Sequence, residues 1–214
     1  MENGTKKVTL KVLNERTGGG CSNPSKMPGT SWNISAFRCN VGSKLAEVPG
    51  SVCHKCYARK GRYAFSNVQN ALERRLDYMR KDNWVEDMAE IISRKSNGFH
   101  RWHDSGDLQD QDHLDRIVAI ARLTPHVEHW LPTKEYHLIK SQVKDMPSNL
   151  TVRVSAPMKG KQIKGFENTS MVIEKGQETP EGVYECPAPT QGGKCGDCRA
   201  CWDKTVSCVG YHVH

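Results

Sequence analysis

The chain has 214 residues, 36% of them hydrophobic and 26% charged, enough for one domain with its own core and too few for two ordinary ones. Mean hydropathy is −0.67 and no apolar run approaches the roughly 20 residues of a bilayer-spanning helix, so a helical membrane protein is excluded and no membrane partner is expected. Lys and Arg outnumber Asp and Glu by 31 to 24, a net charge of +7 that favours approach to nucleic acid or another anion without specifying either.

Residues 7 to 13 alternate polar and apolar side chains and predict a strand. From Gly18-Gly19-Gly20-Cys21 to about residue 63 the chain is rich in Gly, Pro and Ser, with one short strand expected from Ile34 to Arg38. A loop of this length inside a domain is usually functional or held by something other than a core. Val68, Ala71, Leu72, Leu76 and Met79 mark one face of a helix over 67–80. Val85, Met88, Ala89 and Ile92 mark a second helix, begun at Asp82 or Asn83. A strand is expected from Phe99 to His103, a helix through Leu114, Ile117, Val118 and Ala121, and a strand from Val127 to Leu131. A helix from Lys134 to Val143 and a strand from Leu150 to Ser155 follow. Strands alternating with helices predict parallel βαβ units. The fold expected is therefore α/β, a single domain built as a partial, open βα barrel. Its βα units span 64–156, flanked by irregular cysteine-containing segments at 1–63 and 157–214, with a last strand between Thr205 and His212. With 7% aromatic residues, the core is expected to rest on Leu, Ile, Val and Met.

The opening residues 1–7 lack the apolar stretch of an export signal, which predicts a cytosolic location. In a reducing cytosol nine cysteines point to metal ligation or redox work rather than disulfides. The strongest pattern is Cys186-Pro187 followed by Cys195-Gly196-Asp197-Cys198-Arg199-Ala200-Cys201. Three cysteines at C-x2-C-x2-C offer three thiolates from one short loop, as bacterial ferredoxins do, with a proline-followed cysteine as a further ligand. Gly192, Gly193 and Gly196 supply the backbone freedom such a wrap requires. A [4Fe-4S] cluster on Cys186, Cys195, Cys198 and Cys201 is the reading; zinc is the alternative, although it more often takes pairs of cysteines from two knuckles. Cys39 with Cys53-His54-Lys55-Cys56-Tyr57 forms a second candidate metal group.

Arg101-Trp102-His103-Asp104-Ser105-Gly106-Asp107 stands where a parallel strand would end, the usual place for a site in α/β folds. Asp104, Ser105 and Asp107 are the candidate catalytic residues there. Capping of turns by these acids, and packing of His103 in the core, is the competing structural reading. Thr133, Lys134 and Glu135 would line the same mouth. Arg59, Lys60 and Arg62, interleaved with Tyr57 and Tyr63, either grip phosphates or form a solvated surface. No P-loop, GxGxxG or HExxH is present, so nucleotide hydrolysis, dinucleotide cofactors and zinc proteolysis have no support.

At Ser51-Val52-Cys53-His54-Lys55-Cys56-Tyr57-Ala58, Arg101-Trp102-His103-Asp104-Ser105-Gly106-Asp107-Leu108 and Cys186-Pro187-Ala188-Pro189-Thr190-Gln191, the chain resembles the bacteriophage gene product 88-like family. That resemblance implies a phage protein acting in the host bacterial cytoplasm and supplies no activity. Cys53-x2-Cys56 followed by Tyr57, with the strand–helix order, is similar to the end of the radical S-adenosylmethionine motif and its partial barrel, though no cysteine stands four residues before Cys53. This second likeness implies S-adenosylmethionine as a further cofactor, with Gly106 and Tyr57 as cofactor-binding candidates. The function expected is an iron–sulfur protein with redox or radical-type chemistry on a small molecule, a nucleotide or a host molecule. The alternative is a zinc-stapled module that binds nucleic acid or a host protein without catalysis.

Overall fold

A computed structural model describes residues 7–140 and 145–213. Seven strands form one open sheet: β1 (Thr30–Trp32), β2 (Phe99–Trp102), β3 (Glu128–Thr133), β4 (Leu150–Ser155), β5 (Thr169–Ile173), β6 (Val183–Glu185) and β7 (Cys208–His212). Their order across the sheet is β1-β2-β3-β4-β5-β7-β6, and every neighbouring pair is parallel. The expected α/β architecture is present as a single parallel sheet that does not close.

The helices are α1 (Leu10–Arg16), α2 (Val41–Ala46), α3 (Ser66–Met79), α4 (Trp84–Lys95), α5 (Gln111–Leu123) and α6 (Tyr136–Lys140). α3, α4 and α5 form where the apolar periodicity places them. α6 falls inside the helix expected at 134–143, whose last three residues lie outside the described ones. Two expectations need correction. Residues 10–16 are helical, not extended: Thr9 Oγ1 accepts from the Val12 amide at 3.4 Å, and Leu10 and Leu13 pack inward while Val8 and Val12 stay exposed. The buried set follows a spacing of three, so the alternation was a surface pattern. The strand expected at 34–38 is instead β1, four residues earlier, followed by a 3-10 turn at Ala36–Arg38 that Ser35 caps. The sheet also draws strands β5, β6 and β7 from 157–214, a segment expected to hold a single strand.

A parallel sheet needs cover on both faces. On one face, helices α1, α3, α4 and α5 meet Trp32, Trp102, Leu131, Leu150 and Val154 in the main core. At its centre Trp32 lies edge-on to Trp84 at 5.3 Å and to Trp102 at 6.0 Å. Three tryptophans therefore anchor a core expected to be aliphatic, each ring pair adding about 0.5–1.5 kcal/mol beyond its burial. The other face carries Trp130 and Val209. The loop carrying Cys198, Cys201 and Trp202 covers it, packing on Phe99, Trp130, Val209 and Tyr211. Strand register puts Ser31, Arg101, Arg153, Ser155, Ser170, Tyr184 and Tyr211 on that same face, because in-register neighbours point the same way.

Candidate cysteine centres and strand-end cavity

The C-terminal cysteines are brought together by β6, β7 and one pinned loop. Cys186 directly follows β6, and its amide donates to the Gly210 carbonyl of β7 at 2.9 Å. The Cys195 amide donates to Lys26 at 2.9 Å, and the Cys198 amide to Cys195 at 3.0 Å. Gly192, Gly193 and Gly196 take φ of 64°, 77° and 53°, the left-handed backbone their residue type permits. Arg153, fully buried on β4, donates to the carbonyls of Ala200 (2.6 Å), Cys201 (3.0 Å), Asp203 (2.6 Å) and Val206 (2.8 Å). Trp202 Nε1 donates to His100 O at 2.9 Å. The hydroxyl of Tyr211 lies 3.2 Å from Cys201 Sγ and that of Tyr184 lies 3.4 Å from Cys198 Sγ. The four thiols stand close enough to feel one another's charge: Cys195 responds to Cys186 and Cys198, and Cys201 to Cys186. Burial pushes the Cys201 thiol up to about 11 and raises Cys186 and Cys195.

The N-terminal cysteines occupy the loop after β1. Cys39 ends the 3-10 turn that precedes α2, and buried Glu135, beyond β3, accepts the Val41 amide at 2.9 Å and so fixes where α2 begins. Gly42 on α2 faces two sulfurs: a Cβ there would sit 3.5 Å from Cys39 Sγ and 3.7 Å from Cys53 Sγ. Ser51 Oγ accepts the His54 amide at 3.0 Å, and the Cys56 amide donates to Cys53 at 3.1 Å, forming the turn that joins the pair. The loop reaches across to the chain beyond β4, with Val52 N donating to Pro157 O at 2.9 Å. Burial, then Asp107, Cys56 and Cys53, push the Cys39 thiol up to about 12. Such a thiol is protonated near neutrality and becomes a ligand only when a cation displaces its proton.

Among the described residues, no three His, Cys, Asp or Glu side chains form a group able to hold a metal ion as they stand. A tetrahedral ion at about 2.3 Å from each sulfur draws thiolates to about 3.8 Å of one another. An iron–sulfur cluster divides its ligands among several irons and asks for a wider set.

The Arg101 guanidinium lies 4.5 Å from the Trp130 ring centre. Burial would lower its pKa, but Tyr57 and Asp104 on one side and Tyr211 and Cys201 on the other outweigh it and raise it. The remaining strand-end residues divide sharply. Ser105 is buried and donates to the Ile34 carbonyl at 2.8 Å. Asp107 accepts from Thr133 Oγ1 at 2.6 Å, from the Leu108 amide at 2.8 Å and from the Lys134 amide at 2.9 Å, which ties the end of β2 to that of β3. Burial raises Asp107 to about 6. Gly106 has φ 82°, and a Cβ there would lie 2.3 Å from Ile34 Cγ1, so this glycine serves a close chain crossing. The Tyr57 hydroxyl donates to the Asp104 carbonyl. Asp104 lines a cavity of about 320 Å³ together with Ser22, Asn33, Tyr63 and Arg75, over Val68, Ala71 and Leu72 of α3.

His103 packs in the core 5.1 Å from the His113 ring. Of the basic cluster, Arg59 is turned inward to the Ala36 carbonyl at 3.1 Å and to the Ser43 hydroxyl. Arg75 and the anchoring role of Arg153 were not legible in the sequence, because no local motif marks a helix residue that meets a strand end or a strand residue that meets a distant loop.

A family model described as gene product 88 matches residues 13–204. No curated protein and no solved structure matches the chain. None of these findings shows a likeness to radical S-adenosylmethionine barrels.

Proposed function

We propose that this chain, which belongs to the phage gene product 88 family, is an iron–sulfur redox protein. Cys186, Cys195, Cys198 and Cys201 hold a [4Fe-4S] cluster on the inner face of a sheet that forms part of a barrel. Cys39, Cys53 and Cys56 hold a second metal group at the carboxyl edge, where α/β folds receive substrates. The single observation that carries the reading is the C-terminal loop, which Arg153 pins at Ala200 and Cys201 so that the Cys198 and Cys201 sulfurs lie 3.4 and 3.2 Å from the Tyr184 and Tyr211 hydroxyls.

A cluster there supplies one-electron transfer. The protein's own groups tune it. The Tyr184 and Tyr211 hydroxyls are within reach of Cys198 and Cys201 sulfurs and can donate to them when these are thiolates. Arg101 favours the more negative, reduced state. The Trp130 and Trp202 rings, 5.3 Å apart, limit solvent access from the sheet side.

The experiment is anaerobic purification of the wild type and of Cys195→Ala and Cys53→Ala, read by electron paramagnetic resonance after reduction. Cys195→Ala should lose the cubane signal while Cys53→Ala retains it, and Arg101→Gln should shift the midpoint potential negative. A full signal in Cys195→Ala defeats the ligand assignment, and an unchanged potential in a folded Arg101→Gln protein defeats the role of Arg101.

A further inference from the structure

The cavity at the carboxyl ends of β1 and β2 pairs opposite charges that do not neutralise each other. Arg75 on α3 and Asp104 beyond β2 both line it, and each shifts the other's titration, yet no ion pair joins them. Each has hydrogen-bond partners of its own, and the cation that weighs most on Asp104 is Arg101 rather than Arg75. Arg75 Nη2 donates to Ser22 Oγ at 3.1 Å, Ser31 Oγ donates to Asp104 Oδ2 at 3.2 Å, and the Asp104 amide donates to Asn33 Oδ1 at 2.9 Å. Each also keeps one buried polar atom with no partner, Arg75 Nε and Asp104 Oδ1. Both side chains are part-buried, so each keeps contact with the cavity it lines.

We propose that this cavity binds a small zwitterion of the α-amino acid class, its carboxylate on Arg75 and its ammonium on Asp104. A guanidinium matches a planar carboxylate, a carboxylate matches an ammonium, and one ligand carrying both groups meets both sides at once. Val68, Ala71 and Leu72 form an apolar floor for a side chain, and the Tyr63 ring closes the end nearest Tyr57, at 5.8 Å from it. At about 320 Å³ the space lies in the range of small-molecule sites. An isolated phosphate would leave Asp104 facing an anion, which disfavours a simple phosphate site. The proposal goes beyond the redox reading and does not depend on which metal the cysteines hold.

The test is isothermal titration calorimetry on the full chain as purified, with the standard L-amino acids offered singly at about 10 mM, and with adenosine monophosphate in parallel. At least one amino acid should bind, and its N-acetyl and amide derivatives should each bind at least about tenfold more weakly. Arg75→Gln and Asp104→Asn should each weaken binding by a similar factor, with folding checked by circular dichroism. Ala71→Met, which fills the floor and leaves both charges, should also reduce binding, and it decides the matter if the charge variants fail to fold. No binding by any amino acid, binding of adenosine monophosphate alone, or amino acid affinity unchanged in a folded variant overturns the proposal.

Discussion

Arg153 Nε donates to the main-chain carbonyl of Cys201 at 3.0 Å, so a side chain from the middle of the sheet holds the loop that presents the C-terminal cysteines. The same guanidinium also reaches the carbonyls of Ala200, Asp203, Val206 and Thr169. Burial lowers its pKa, opposed by Tyr211 and Cys201.

Replacing Arg153 by Leu should therefore destabilise the fold by about 3–5 kcal/mol, since it removes hydrogen bonds to five carbonyls at once, three of them buried. Arg153→Lys should recover only part of this loss, because an ammonium cannot present a planar fork to carbonyls on several sides. Urea unfolding of the three proteins checks the order. Equal stability of wild type and Arg153→Leu would show that the loop is held without it.

Gly106→Ala should cost about 2–4 kcal/mol, because φ is 82° and the new methyl meets Ile34 Cγ1 at 2.3 Å and Ile34 O at 2.8 Å. Gly98→Ala is the control: it has φ 85° and nothing within 4 Å, so it should show only the backbone penalty of about 1 kcal/mol. Thermal unfolding of both variants separates crowding from backbone strain.

Stability should fall in mild acid. His100, His103, His113 and His129 are buried, and burial lowers the pKa of each, His113 and His129 to about 3. Between that value and about 6.5 the unfolded chain binds protons the folded chain refuses, so unfolding free energy decreases as pH drops. Each histidine contributes about 1.4 kcal/mol per pH unit in that window. Asp107 works in the opposite sense: with its pKa raised to about 6, the folded state binds the extra proton from there down to the ordinary carboxylate value, which adds stability as pH falls. Burial raises Asp87 and Asp104 as well, so these acids offset part of what the four histidines remove. Denaturant midpoints from pH 7.5 to 5, taken with the buffer ionic strength fixed, should decline steadily; a flat profile would mean that these rings are protonated in the folded state.

The sequence carried the regular middle of the fold well, since α3, α4 and α5 declare themselves by amphipathic spacing and β4 lies where its apolar run places it. It carried the flanks poorly. β1, Thr30-Ser31-Trp32, and β6, Val183-Tyr184-Glu185, are three residues each, too short for periodicity to register, and they form by register with neighbours far along the chain. α1 hides behind a false alternation, because Val8 and Val12 are apolar yet exposed. At the site, cysteine spacing and the strand-end motif were visible as local patterns. What they left open was the division of labour among adjacent residues. Asp104 faces a cavity while Ser105 and Asp107 brace the scaffold, and only the partners Ile34 and Thr133, distant in sequence, reveal this.

Second-group geometry gives one more expectation. Gly42→Val would place branched carbons against Cys39 Sγ and Cys53 Sγ and should reduce any metal bound there, while leaving metal at the C-terminal cysteines unchanged. Metal analysis of Gly42→Val against Cys195→Ala tests whether the groups load independently; identical losses in the two variants would mean a single shared centre.

The most direct measurement is the iron and acid-labile sulfide content of the wild-type chain purified without oxygen. The account predicts iron and sulfide in near-equal amounts, about four of each for every cluster held, in a brown protein whose colour bleaches on reduction. Colourless protein carrying stoichiometric zinc, or no metal at all, would contradict it.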